Sequence, residues 1–308
     1  MSAALVSVVI PCFNQAAFLA QAIESVRAQA GVDTEVVVVD DGSTDGSGEV
    51  AAGFAGVVLH RQENAGLAAA RNAGLSRCRG DFVVFLDADD LLLPGALKAG
   101  LACLEDHPES AFAWGRYRVA IGPDHFIDPP ADRTIGHEAY RALLQHNAIV
   151  MHGTVIYRRF VLEAVGGFDP ALRACEDYDL YLRIARHHPI SQHDAVVAVY
   201  RKHGDNMSAD SLMMLETVLS VLRAQRPHLE GYPKALQAYR EGVCFWKSFY
   251  GARAIVRILR AVVRLDLAPA RRDFARLCRI LGPGSLLVHG PSWLLTLWRD
   301  TRRFRGTA

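Results

Sequence analysis

Phe82-Val83-Val84-Phe85-Leu86-Asp87-Ala88-Asp89-Asp90 is a short apolar run that ends in a cluster of acids. The same arrangement occurs earlier, where Val37-Val38-Val39 leads into Asp40-Asp41-Gly42-Ser43. Apolar runs of this length read as strands covered on both faces, the form found in parallel sheets. Ligands of open parallel sheets bind at the carboxyl ends of the strands. Two acid-tipped strands therefore bring two carboxylate clusters to one crevice. Carboxylates repel a diphosphate unless a divalent cation lies between them, so the pair predicts a nucleotide site dependent on Mg²⁺ or Mn²⁺.

Outward from these strands the chain alternates. Val6 to Ile10 reads as a strand ended by Pro11, and Phe18 to Ala30 as a helix with Phe18, Leu19, Ala22, Ile23 and Val26 on one face. Strand Glu35 to Val39, a helix near Gly46 to Phe54, strand Val57 to His60, helix Leu67 to Arg77, strand Phe82 to Leu86 and helix Pro94 to His107 follow. This is the rhythm of an α/β fold with a mostly parallel central sheet flanked by helices. After Trp114 the rhythm breaks, and residues 118 to 136 read as an irregular loop. A second block holds a helix around His137 to His146, strand Val155 to Tyr157, a short helix Phe160 to Val165, a Gly166-Gly167 turn, helix Asp177 to His188 and strand Ala195 to Tyr200. From about Ser208 the pattern is helical throughout.

A chain of 308 residues accommodates one large α/β domain, or a domain of roughly 220 to 240 residues with an extension. The net charge is only +1, but from Arg240 onward thirteen Arg and one Lys face four acids, an excess of ten positive charges. The rest of the chain is correspondingly acidic, which suits a metal-binding catalytic part with an extension drawn to anionic surfaces. Six cysteines are scattered without metal-ligand spacing and read as thiols of a reducing compartment. The opening Met1-Ser2-Ala3-Ala4-Leu5 shows no signal-peptide pattern, and no stretch reaches the roughly 18 unbroken apolar residues of a membrane span. The expected location is the cytoplasm, with peripheral contact at the inner face of the membrane.

Taken singly, the motifs allow plain readings. Asp40 to Ser47 is consistent with a polar turn in which Asp45 caps the next helix, or with a carboxylate that accepts from the edge of uracil, thymine or guanine. Asp87-Ala88-Asp89 has the alternation that points two carboxylates the same way. Glu176 and Asp177 suit a helix N-terminus by charge alone.

Six blocks in order carry more: Ser7 to Asn14, Val39 to Asp45, Asn64-Ala65-Gly66-Leu67 with Ala70-Arg71-Asn72, Phe85 to Asp90, Gly166-Gly167-Phe168-Asp169 with Glu176 to Leu180 and Arg183, and Tyr200-Arg201-Lys202-His203 with Asn206-Met207-Ser208. Over roughly residues 5 to 210 the chain resembles the inverting family 2 glycosyltransferases of GT-A fold, of the bacterial cell-envelope polysaccharide type. The resemblance implies that Pro11, Phe13 and Asn14 line a nucleotide-sugar pocket, joined by Asn64, Gly66 and Ala88. It implies that Asp41 contacts the base with Asp40 beside it, that Arg71 lies near base or diphosphate, and that Asp87 lies near the ribose. Asp89 would be the metal ligand, with His203 approaching the metal or diphosphate. Asp177 would be the general base and Glu176 would orient the acceptor. Trp114, His152, Gly153 and Thr154 fall where the acceptor pocket forms, with core packing the plain alternative for Trp114.

The implied layout is a glycosyltransferase domain over residues 1–232, with its nucleotide-binding part about 1–115 and its acceptor part about 116–210, and a basic helical extension over 233–308. At 100° steps Arg253, Arg257, Arg260 and Arg264 fall within about 60° of each other, opposite Ile255, Ile258, Leu259, Val262 and Val263. Arg272, Arg276 and Arg279 repeat the pattern. This predicts either a helical pair packed on the catalytic part or an interfacial pair over residues 250–300 at an anionic membrane, with Trp293 and Trp298 near the interface. Nucleic acid is not an expected partner, because few aromatics accompany the basic stripe. The expected partners are a nucleotide-diphosphate sugar, UDP-linked, and a saccharide or lipid-linked saccharide. Two rival readings are a nucleotidyltransferase, which needs a basic triphosphate loop absent from residues 11 to 18, and a non-catalytic sugar-nucleotide or membrane-binding module.

Overall fold

The computed structural model describes residues 4–122, 125–129, 135, 138–204 and 210–282. The Asn206-Met207-Ser208 block, Trp293 and Trp298 lie outside the described residues. The chain divides into two compact units: Met1–Tyr140 with Asn147–Gly204, and Arg141–His146 with Asp205–Ala308.

The first unit is built on β1 (Leu5–Cys12), β2 (Asp33–Asp40), β3 (Val57–Arg61) and β4 (Phe82–Phe85), all parallel, in the order β3-β2-β1-β4. Register fixes where they end. Cys12 lies opposite Asp40 and Val9 opposite Phe85, and the ladder continues as Asp41 N–H to Cys12 O at 2.8 Å and Leu86 N–H to Val9 O at 2.9 Å. The two acidic clusters thus flank the end of β1, on the edge where such sheets bind ligands.

Beyond β4 the sheet becomes mixed. β8 (Val155–Arg158) pairs antiparallel with both β4 and β6 (Phe112–Ala120), and β6 pairs parallel with β9 (Ser191–Arg201). The two-residue β5 (Leu91–Leu92) adds antiparallel to β9, and β7 (Phe126–Ile127) adds antiparallel to β6. The region expected to be an irregular loop therefore begins as sheet. β6 escapes the period-2 pattern because its pairing with β9 shifts register between Trp114 and Arg116 and again before Tyr117, which resets the alternation of side chains.

Helices α1 (Ala16–Arg27), α2 (Ser47–Ala52) and α3 (Leu67–Leu75) cover the parallel half, and α4 (Ala96–Asp106) packs on β9, β6 and β8 of the mixed half. Val6, Val8 and Ile10 of β1 share a core with Leu19, Ala22, Ile23 and Val26 of α1, all buried. Val9 points to the other face, against α3. That helix approaches closely because Gly74 has no side chain: a Cβ there would sit 2.2 Å from Cγ1 of Val9. α6 (Arg159–Ala164) and α7 (Glu176–Ala185) belong to the second half of the first unit, while α5 (Ala139–Gln145) lies mostly in the second unit.

The second unit gathers α8 (Ser211–Gln225), α9 (Pro233–Val263) and α10 (Leu267–Leu281). Its start at residue 205 differs from the 232/233 boundary expected from sequence, because α8 is part of the same helical unit as α9 and α10. No described helix is long and apolar enough to cross a membrane.

Gly74→Ala is expected to cost about 1–3 kcal/mol of stability, the usual penalty for inserting a methyl group into a filled interface. A urea midpoint equal to that of the parent would show that α3 does not depend on this close approach.

Candidate active site

Two loops at the ends of β1 and β2 are stitched together by side chains. Asn14, in a left-handed conformation at φ 54°, accepts from Thr44 N–H at 2.8 Å through Oδ1, while its own N–H donates to Ser43 Oγ at 3.0 Å. Asp45 accepts from Ala16 N–H at 2.9 Å and from Ser47 N–H at 3.0 Å. The plain reading of this stretch, a capped polar turn, is therefore part of its role. Asp40 accepts from Ser43 N–H at 2.9 Å and faces Arg61 at 3.8 Å. Asp41 holds the next loop: Oδ1 accepts from Gln62 Nε2 at 2.8 Å and Ala65 N–H at 2.9 Å, and Oδ2 from Gly66 N–H at 2.9 Å. Asn64 backs onto Gly42, where a Cβ would meet its N at 2.9 Å. Pro11 is buried beneath, while Phe13 is 48 % exposed above the loops.

Arg71, expected near base or diphosphate, is buried against the end of β4 and the start of α7. It is 2 % exposed, and its guanidinium donates to Asp87 Oδ1 at 2.6 Å and to Glu176 Oε1. The Phe168 ring lies 5.5 Å from its Cζ. Burial disfavours the charge, but Asp87, Glu176 and Asp177 outweigh it and hold Arg71 protonated. It shapes this part of the molecule through these carboxylates.

Neighbouring residues, which sequence reasoning left outside the site, complete the brace. Asn72 Nδ2 donates to Phe168 O at 2.8 Å and its Oδ1 accepts from Phe168 N–H at 2.9 Å. Gly167, at φ 68°, leaves room for that amide, since a Cβ would sit 2.5 Å from Asn72 Oδ1. Arg183 of α7 donates to Val165 O at 2.9 Å and Gly167 O at 2.6 Å. The Gly-Gly-Phe turn is thus gripped from α3 on one side and α7 on the other.

α7 begins after Cys175, a non-glycine residue at φ 56°. This strained start sets Glu176 inward, buried, and leaves Asp177 partly open. Burial, then the adjacent Glu176 carboxylate, raise the Asp177 pKa to about 7 against the opposing pull of Arg71.

On the far side, Asp89 Oδ2 lies 2.8 Å from His203 Nε2, and the His203 ring stacks on Phe18 at 5.1 Å. Arg201 joins the two segments: its N–H donates to Asp90 Oδ1 at 2.9 Å, its side chain to Asp89 O and to Gln21 Oε1 at 2.6 Å. Asp90 therefore anchors β9 as well as closing its own turn through its N–H to Asp87 O at 3.0 Å. The signal for Arg201 was its two-residue spacing from His203 on an extended chain, which puts both on one side. Burial and the charge of Asp87 raise the Asp89 pKa, and burial with Asp89 and Asp87 raises that of Asp90 well above the usual range.

The residues expected at the acceptor pocket lie inside. Trp114 is 3 % exposed and packs edge-on to Phe112, so the packing alternative describes it. Thr154 Oγ1 donates to Met151 O at 2.7 Å. His152 sits among Phe85, Tyr157, Phe168 and Tyr181, with Nε2 3.0 Å from Tyr157 OH. Burial and then Arg71 push its pKa well down, so the ring is neutral. Gly153 fits against Leu86 and Met151, and Ala88 is buried at the turn.

With this geometry in view, a model of Glycosyl transferase family 2 matches residues 7–166, just over half of the chain. The chain belongs to that family. A Haemophilus influenzae uncharacterized glycosyltransferase is 29 % identical over 184 residues, covering 58 % of this chain and 62 % of that protein, less than two thirds of its length. Residues 1–349 of S. aureus TarS, in complex with UDP-GlcNAc, superpose with a TM-score of 0.67 at 22 % identity, over 90 % of this chain and 80 % of that one. The mannosyltransferase PcManGT from Pyrobaculum calidifontis, in complex with GDP-Man and Mn²⁺, gives 0.60 at 21 % identity, over 94 % and 84 %. At these identities the solved structures establish the fold, which is GT-A. The family match spans the blocks Ser7 to Asn14, Val39 to Asp45, Asn64 to Asn72 and Phe85 to Asp90.

Removing the buried cation leaves Glu176 buried and uncompensated, so Arg71→Met is expected to lower the unfolding free energy by about 3–5 kcal/mol. Arg71→Met with Glu176→Gln should recover part of that loss in the same denaturation assay. Equal stability of Arg71→Met and the parent would exclude the brace.

Proposed function

We propose that the chain transfers a sugar, with inversion, from a UDP-linked donor to a hydroxyl of a saccharide or lipid-linked saccharide in envelope polysaccharide assembly. The observation that carries this reading is Asp177: a partly open carboxylate with its pKa raised to about 7, at a helix start braced to the donor edge of the sheet. A base with a pKa near the working pH takes a proton most effectively. Asp177 accepts the proton of the attacking hydroxyl as its oxygen bonds to the anomeric carbon. The bond from that carbon to the diphosphate oxygen breaks on the opposite face, and the nucleoside diphosphate leaves.

The donor would lie over Phe13, with the base edge reaching Asp41, whose Oδ2 accepts a single bond within the protein. Asp40 holds the loop. Asp87 is held by Arg71 with about a third of its side chain exposed, which suits a hydroxyl of the ribose.

The donor set also fits a hard divalent cation. Asp87, Asp89 and Asp90 crowd one turn, where burial first and then the neighbouring carboxylates raise the pKa values of Asp89 and Asp90. Among the described residues no group of three or more His, Cys, Asp or Glu is arranged to hold a metal, so Asp89 and His203 would supply only part of a coordination sphere. That is the usual situation of Mg²⁺ or Mn²⁺ bound together with phosphates and water. When bound there, the ion would supply charge neutralisation for the departing diphosphate. The Mn²⁺ and nucleotide sugars carried by the two structural neighbours support the same choice.

Asp177→Asn is expected to lower kcat by orders of magnitude while UDP-sugar binding by calorimetry is retained; normal turnover would refute the assignment. In the parent, the base must be ionised, so kcat/KM should rise with pH and level off above about 7. Asp89→Ala should weaken donor binding in the presence of Mn²⁺ and leave the weaker, metal-free binding unchanged.

A further inference from the structure

The hairpin between α9 and α10 ends in a tip that is apolar and bare. Val262, Val263, Leu265 and Leu267 are 43 %, 82 %, 84 % and 60 % exposed, with Leu259 and Phe274 also exposed nearby in sequence. Single exposed apolar side chains are ordinary, whereas a run of them at one turn marks an interaction surface.

The backbone of the tip strengthens the point. α9 closes with Asp266 N–H donating to Ala261 O at 2.9 Å and Leu265 N–H to Val262 O at 3.0 Å, the Schellman pattern of helix ends. The residue after the cap in that pattern is left-handed and is usually glycine. Here it is Leu265, at φ 61°. A leucine in this conformation is penalised by its Cβ, and at this exposure it recovers little by packing. A strained residue kept with its apolar side chain in solvent points to a use outside the unit.

Charge identifies the occupant. The arginine stripe expected from sequence is divided in the structure. Arg257 bridges Asp210 at 3.1 Å and Asp273 at 2.9 Å, and Arg276 pairs with Glu216 at 2.5 Å, so these two hold the helices together. Arg260, Arg264, Arg271 and Arg272 are exposed around the tip, while Arg257 and Arg276 are held in the ion pairs between the helices. Against them at the turn stands Asp266. An apolar tip with a basic collar matches acyl chains below anionic headgroups. Nucleic acid would engage the arginines and leave the apolar residues in water. A second copy would bring like charges together.

We propose that the α9–α10 tip docks on an anionic bilayer, with Val263 and Leu265 among the acyl chains and Arg260, Arg264, Arg271 and Arg272 at the headgroups. This holds whether or not the chain transfers sugars, and it narrows the expected interfacial segment to the hairpin turn.

The test is co-sedimentation of the full chain with vesicles of phosphatidylcholine alone and of phosphatidylcholine with phosphatidylglycerol. Binding is expected only with phosphatidylglycerol and should weaken as salt rises. Leu265→Gly with Val263→Ser should weaken it on the order of tenfold or more. The Leu265→Gly variant alone should melt no lower than the parent, because glycine relieves the left-handed strain. Arg264→Gln with Arg272→Gln should also cost on the order of tenfold. The proposal is overturned if the parent ignores phosphatidylglycerol vesicles or if either pair of substitutions leaves binding unchanged. A dimer in sedimentation that Leu265→Gly dissolves would overturn it in favour of a self-association surface.

Discussion

The guanidinium of Arg71 joins the end of β4 to the start of α7, and the positions of Asp87, Glu176 and Asp177 depend on it. Taking a charge out of water costs several kcal/mol, which only well-placed partners offset. Arg71 has two carboxylate partners, Asp87 and Glu176, and without it those carboxylates would repel each other across the same space. The dependence is mutual. α3 delivers the cation because Gly74 lets the helix settle on Val9. Its next residue, Asn72, grips the backbone of Phe168. One short helix therefore fixes both the carboxylate of Asp87 and the turn at Phe168, holding two ends of the site rigidly together.

The parallel half of the sheet was legible because its strands are apolar on both faces and their acidic ends are local in sequence. Val37 to Asp41 and Phe82 to Asp90 declare both the strand and the edge where it stops. The mixed half was less so. β6 hides behind a break in alternation at Trp114 to Tyr117, and β5 is two residues long, defined only by its pairing with β9. Side-chain direction was the other gap. A helical Arg, a His beside a Gly and a Trp near a strand end give no sign of which way they point. Arg71, His152 and Trp114 all point inward, toward partners that lie 16 to 105 residues away for Arg71. Pairings of that range are set by topology, which local pattern does not contain.

The tail makes the same point about charge. Counting residues finds an excess of positive charge after Arg240, and helical periodicity gathers it into a stripe. Neither separates an arginine that joins helices from one left to solvent. Arg257 and Arg276 are consumed by Asp210, Asp273 and Glu216, acids that lie on or before other helices of the unit. Among the described residues, Arg260 and Arg264 beside the hairpin turn stay exposed, as do Arg271, Arg272 and Arg279 along α10.

Glu176 and Asp177 are adjacent in sequence and alike in chemistry, yet the fold gives them opposite environments. Glu176 is buried and held by Arg71. The pKa of Asp177 is raised to about 7 by burial first and then by the field of that neighbouring carboxylate, against the opposing pull of Arg71. Two carboxylates whose surroundings pull them apart are how one site comes to hold a fixed charge and a proton acceptor side by side. The left-handed Cys175 decides which is which. By setting the first turn of α7 so that Glu176 enters the core, it leaves the following residue at the opening. A conformation costly to any side chain is thus retained where relaxing it would turn Glu176 away from Arg71.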